Sequence, residues 1–119
     1  MPTVPKGTAS LENIKSSTIV TNKVNQYFPN YVDSISKKSA LYKFSNKWKI
    51  LKKSPSWNGR KKYITDFEKK YGKQSANYWS SREIHHIQPR KQSGGNEFSN
   101  LMPVKKDPHK LLTKWFRNY

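Results

Sequence analysis

Apolar positions along the chain fall first into stretches with helical spacing and then into short alternating runs. From Ser10 to Phe28, residues Leu11, Ile14, Val20, Val24 and Phe28 keep near-helical steps. The Thr and Ser between them weaken a helix, and Pro29 ends whatever precedes it. From Ser39 to Lys53, residues Leu41, Phe44, Trp48 and Leu51 advance by three, four and three, with Lys on the other faces, which predicts a helix. Ser54, Pro55, Ser56, Asn58 and Gly59 then predict a loop. A second helix carries the stripe Tyr63, Ile64, Phe67 and Tyr71 and stops at Gly72. Residues 1–8, with Pro2, Pro5 and Gly7, read as a lead-in.

The pattern changes after residue 75. Tyr78 to His85 predicts a strand by its aromatic and alternating content. Gln88 to Glu97 is a polar loop whose Gly94-Gly95 pair permits tight turns. Phe98 to Val104 reads as a second strand. Asp107-Pro108 signals a helix start, with Asp capping and Pro in the first turn. Leu111, Leu112, Trp115 and Phe116 give that last helix an apolar face. The order is strand, loop, strand, helix.

Composition narrows the function. Only 33% of the 119 residues are hydrophobic, so the core is small. Four Trp, seven Tyr and five Phe are nonetheless too many for a disordered polyelectrolyte. No apolar run approaches the roughly 20 residues that cross a bilayer, so membrane insertion is not expected. The absence of Cys removes disulfides, thiolate zinc sites and cysteine nucleophiles together. Met1 to Ser10 has no apolar segment of a secretory signal. Against 7 acidic residues stand 24 Lys and Arg, a formal net charge of +17. That excess repels itself unless a polyanion compensates it, and nucleic acid is the leading partner. An anionic membrane surface or an acidic protein is the alternative.

All three histidines, His85, His86 and His109, fall in the strand–loop–strand–helix segment. Histidine serves both as a neutral metal ligand and as a proton acceptor near neutral pH. Adjacent residues at a strand end point to different sides, so His85 and His86 do not easily share one ion. His109 sits in the first turn of the last helix, and it reaches an ion held by His85 if that helix packs across the hairpin.

The run Arg82-Glu83-Ile84-His85-His86-Ile87-Gln88-Pro89, then Gly94-Gly95, Asn100-Leu101 and His109, resembles the HNH endonucleases, the ββα-metal or His-Me finger superfamily. Within it the segment is most similar to the nuclease domains of DNase colicins and related bacterial polymorphic toxins. The resemblance covers residues 79–117, about a third of the chain. It implies an α+β fold in which a helical, basic N-terminal part (residues 9–75) packs on a C-terminal ββα-metal finger (76–119), as one nuclease domain. It further implies that His85 and His109 are metal ligands and His86 the general base. Asn100 would hold the loop behind the base. Glu83 resembles the acidic residue two positions before the first ligand, with pairing to Arg82 as the simpler role. Arg82, Arg90, Lys91, Lys105, Lys106 and Lys110 surround the expected centre and are candidates to grip a nucleic-acid backbone. Colicin DNases carry a further His four residues after the helical ligand, where this chain has Thr113. Two His ligands favour one hard, exchangeable ion, magnesium or manganese, with zinc or nickel as alternatives.

The activity expected from the resemblance is metal-dependent hydrolysis of phosphodiester bonds, with DNA favoured over RNA. A toxin module is expected, delivered as part of a larger secreted protein, acting in the target-cell cytoplasm and neutralised by an acidic immunity protein. Competing with it are a phage or housekeeping HNH nuclease, and a non-catalytic nucleic-acid-binding module with a degenerate HNH fold.

Overall fold

The computed structural model describes residues 20–119. Five elements follow one another in chain order. They are helix α1 (Arg60–Tyr71), helix α2 (Ala76–Ser80), strand β1 (Arg82–His86), strand β2 (Leu101–Lys105) and helix α3 (Lys106–Phe116). The two strands pair antiparallel with His86 opposite Leu101, His85 opposite Met102 and Glu83 opposite Val104. Pro103 is tolerated in β2 because each strand of a two-stranded sheet keeps an edge that needs no donor. Helix α3 returns across both strands. The result is an α+β fold with a ββα arrangement, as expected.

Period-two alternation divides the sheet between two apolar clusters. Met102 and Val104 join Phe28, Ile87, Leu112, Trp115 and Phe116 on the α3 side. Ile84 and Leu101 join Tyr63, Phe67, Tyr78 and Trp79 beneath α1 and α2. The expected apolar face of α3 is buried at all four positions, Leu111, Leu112, Trp115 and Phe116. Helix α1 ends as its sequence predicts, at Gly72 with φ 98°, a conformation that costs a glycine little. No helix among the described residues is long and apolar enough to cross a membrane.

Five local expectations are corrected. Residues 39–53 form turns and irregular chain instead of a helix. The Ser39 hydroxyl accepts from the Leu41 N–H and the Ser45 hydroxyl from the Lys47 N–H, so local side chains satisfy the backbone. Lys43 takes a left-handed φ of 51°, which no helix accommodates. The apolar stripe is used all the same, because Leu41, Phe44 and Trp48 pack against the α3-side cluster. Of the expected helix over 10–28, residues 10–19 lie outside the described residues. Residues 20–28 form a turn in which the Asn22 side chain accepts from the N–H groups of Val24 and Gln26. Among residues 20–75 only α1 is helical.

The third correction concerns Tyr78 to Ser80, which belong to α2 and not to a strand. The Ser75 hydroxyl caps that turn by accepting from the Tyr78 N–H at 3.1 Å. Adjacent Tyr78 and Trp79 are both buried against Phe67, which a strand could not achieve without sending one of them outward. The second strand is likewise shorter than expected, since Phe98–Asn100 form a 3₁₀ turn before β2. Finally, Asp107 does not cap α3. The helix begins one residue earlier, at Lys106, and the Asp107 carboxylate sits inside the first turn, where the helix dipole favours it.

Candidate active site

The end of β1 and the first turn of α3 bring the three histidines together. Along β1, Glu83 and His85 face α3, while Ile84 and His86 face the α1 side. The His85 and His109 rings lie 5.4 Å apart between centroids, at 76°. His109 Nδ1 and Glu83 Oε1 are 3.0 Å apart. A carboxylate there receives the Nδ1 proton and leaves the Nε2 lone pair of His109 available. His85 is buried, and its Nε2 has no hydrogen-bond partner. Burial, and then the neighbouring imidazoles of His109 and His86, push its pKa down to about 3, so the ring is neutral as a metal ligand must be.

These residues fit a divalent cation. An orphaned, buried and neutral ring nitrogen beside a second imidazole held in one tautomer is a donor pair, and Thr113 lines the same cleft one helical turn after His109. Among the described residues no group of three His, Asp or Glu side chains converges, and the residues that would hold an ion here are His85 and His109.

His86 lies on the other side of the strand. It is buried, its Nε2 is 2.9 Å from Asn96 Oδ1, and the Trp57 ring meets it edge-on, 4.9 Å between centroids at 89°. Burial lowers its pKa, the Asn96 hydrogen bond works in the opposite direction, and the Arg90 charge lowers it further. The imidazole is therefore neutral at neutral pH and able to accept a proton.

Asn100 ties the two ends of the loop between the strands together. Asn100 Oδ1 accepts from the Gln88 N–H at 2.8 Å, and its Nδ2 donates to the carbonyls of Gln88 at 3.0 Å and Gly95 at 2.8 Å. Its backbone carbonyl also accepts from the Ile87 N–H. Asn100 thus staples the two residues after His86 to the far side of the loop. The glycines serve this loop differently from expectation. A Cβ on Gly94 would lie 1.7 Å from the Gln88 carbonyl oxygen, so it is close approach that requires glycine there. The left-handed residue of the loop is Ser93, with φ 72°.

His85, His86, His109 and Thr113 line one cleft of about 340 Å³, bordered by the cations Arg90, Lys91 and Arg117. Arg90 is braced across it, donating to the Pro55 carbonyl at 2.7 Å. The other expected cations do not border the cleft. Lys105, Lys106 and Lys110 are exposed at the end of β2 and on α3. The Arg82 guanidinium lies 3.8 Å from the Tyr78 ring centre and donates to the Tyr78 carbonyl and the Ser81 hydroxyl, packing against α2. Glu83 pairs with His109 and not with Arg82. Three residues at the site were not anticipated. Arg117 follows His109 and Thr113 at steps of four, a helical spacing visible in the sequence. Asn96 and Trp57 carry no comparable local signal, because each reaches His86 through the fold.

Two antiparallel strands, a stapled loop and a helix that returns a histidine to the first strand define the ββα-metal class of site. Residues 69–114, from the last turn of α1 through most of α3, match the model of the HNH endonuclease family, and this segment belongs to that superfamily. Comparison with curated proteins and with solved structures gives no match. The match supports a nuclease-type function in general, and HNH nucleases act on nucleic acid and generally use a divalent metal.

Proposed function

We propose that the chain is a metal-dependent endonuclease that hydrolyses phosphodiester bonds, DNA in preference to RNA. The observation that carries this reading is the arrangement of His85, His109 and His86 around one cation-bordered cleft. His85 and His109 hold a divalent ion, which supplies Lewis-acid stabilisation of charge on the scissile phosphate and its leaving oxygen. Magnesium or manganese suits a two-histidine set best. His86, neutral and across the strand from the ligand pair, takes a proton from the attacking water, a role worth about 10²–10⁴ in rate. Glu83 orients His109, and Asn100 keeps the chain beyond His86 in place. Arg90, Lys91 and Arg117 contact the phosphate backbone beside the cleft, while Lys105, Lys106 and Lys110 extend the basic surface along α3. Attack by water leaves 5′-phosphate and 3′-hydroxyl ends.

The biological role we propose is a toxin module, delivered within a larger secreted protein into a target cell and neutralised by an acidic immunity protein. The net charge of +17 and the colicin-like His-His, Gly-Gly, Asn, His spacing support it. One observation favours a second reading. Thr113 occupies the place in the cleft where a third imidazole would stand, as in a degenerate, non-catalytic nucleic-acid-binding module.

Incubation of the protein with supercoiled plasmid and with total RNA separates the two. The conditions are EDTA or magnesium, manganese, nickel or zinc, with His86→Ala in parallel. Cleavage that requires an ion and falls at least about 10²-fold in the variant supports the nuclease. Binding without cleavage under every ion overturns it in favour of the binding module. Toxicity on expression that the product of a neighbouring gene relieves supports the toxin role.

A further inference from the structure

Sequence resemblance reaches the base, His86, but not the groups that hold its ring. We infer that Asn96 and Trp57 are positioning residues that fix the tautomer and the plane of the His86 imidazole, leaving Nδ1 as the atom that accepts a proton. The inference rests on the nuclease reading and deepens it.

A neutral imidazole carries one N–H donor and one lone-pair acceptor. His86 Nε2 lies 2.9 Å from Asn96 Oδ1, an oxygen that can only accept, so Nε2 bears the hydrogen and Nδ1 the lone pair. A single hydrogen bond fixes one corner of a ring and leaves it able to rock. Trp57 supplies the second restraint, perpendicular to the imidazole at 89° and 4.9 Å away. Both supports are themselves held. A Cβ on Gly59 would come within 2.7 Å of the Trp57 indole nitrogen, so the indole occupies space that only a glycine leaves open. Asn96 follows Gly95, whose carbonyl is bound by Asn100. The Asn100 staple therefore reaches His86 twice, through the backbone after it and through the Asn96 side chain. Trp57 is only partly buried: it packs against the cluster beneath α1 and α2 and also lines the cleft. Misplacing a catalytic group by about 1 Å can cost 10²-fold in rate, which makes such a clamp worth building.

The test uses the full chain, ¹⁵N-labelled and metal-free, with long-range proton–nitrogen NMR at a pH well above the ordinary imidazole pKa. The expected result is the Nε2–H tautomer for His86. Asn96→Leu should give a mixture of tautomers and, with manganese on plasmid, lower kcat about tenfold or more with KM unchanged. Asn96→Asp keeps an oxygen in place and should retain the tautomer and most of kcat. Gly59→Ala displaces the indole, so it should keep the tautomer and lower kcat several-fold, in a protein whose thermal unfolding shows that it is folded. An Nδ1–H tautomer in the wild type overturns the inference. So does an Asn96→Leu protein with unchanged tautomer and kcat. A wild type that cleaves nothing under any ion, yet shows the Nε2–H tautomer and loses it in Asn96→Leu, upholds the clamp and overturns the nuclease reading.

Discussion

Residues 20–59 and residues 60–119 are built from similar materials and fold by different rules. Both contain apolar residues at helical spacing, flanked by lysines. In the second region the stripe Tyr63, Phe67 and Tyr71 becomes a helix with a glycine stop, and the Leu111 to Phe116 face becomes α3. In the first, Leu41, Phe44 and Trp48 reach the core from turns. The difference lies in what else the local sequence offers the backbone. Ser39 and Ser45 accept from the N–H groups of their own neighbours, whereas in α1 the Thr65 hydroxyl donates back to the Lys61 carbonyl and Asp66 pairs with Lys62, which leaves the N–H ladder intact. Irregular chain is held instead by rings. Phe44 meets Trp115 at 5.7 Å, Trp48 stacks on Tyr119 at 5.8 Å, and the Tyr119 hydroxyl donates to the Ser45 carbonyl while accepting from the Trp48 N–H. A segment without regular structure can therefore be as much a part of the core as a helix is.

The largest test of that conclusion is Phe28→Ala. Phe28 is 1% exposed and touches Trp115 at 4.8 Å and Phe116 at 5.9 Å, both on α3. Its truncation should cost about 3–5 kcal/mol in denaturant unfolding, as for any core Phe. A cost below about 1 kcal/mol would mean that residues 20–59 are an appendage on the hairpin and helix.

Acid should expose the opposite weakness, in the regular region. The His85 pKa is depressed from its ordinary 6.5 to about 3 in the folded protein by burial. Between those values the unfolded chain binds a proton that the folded chain does not, so stability rises with pH there. The contribution is fully present above about pH 6.5 and is lost progressively as the pH falls toward 3. Metal-free protein should thus lose a few kcal/mol more between pH 7 and 4 than His85→Gln does, measured by denaturant unfolding at each pH. Equal slopes in the two proteins would show that His85 is not held neutral.

The smallest effect carries an informative sign. In a helix, Lys43→Gly would destabilise by about 1 kcal/mol. At a φ of 51° the glycine removes a steric penalty, and stability should stay level or rise by up to about 1 kcal/mol. A thermal-unfolding midpoint that falls would restore the helix over 39–53.

How much of the site was legible follows the same division. His85, His86, Asn100 and His109 were singled out through the resemblance to the HNH endonucleases, and the structure places them at the end of β1, just before β2 and in the first turn of α3. The expected juxtaposition of His85 with His109 required only that α3 cross the hairpin, and its apolar face made it do so. Arg82 was misjudged as a cleft cation because nothing local shows that a short capped helix places Tyr78 beneath its guanidinium. Asn96 and Trp57 were not legible, since one belongs to a polar loop and the other to the segment before α1.

By itself, then, the amino-acid sequence determined the ββα order, the apolar faces, the excess of positive charge and the histidine set, all of which are properties of spacing and composition. Tertiary structure alone decided which backbone would do without a helix, which cations border the cleft, and which side chains hold His86. Those outcomes depend on contacts between residues far apart in the chain, where burial and ring packing outweigh the weak preferences that neighbouring residues express.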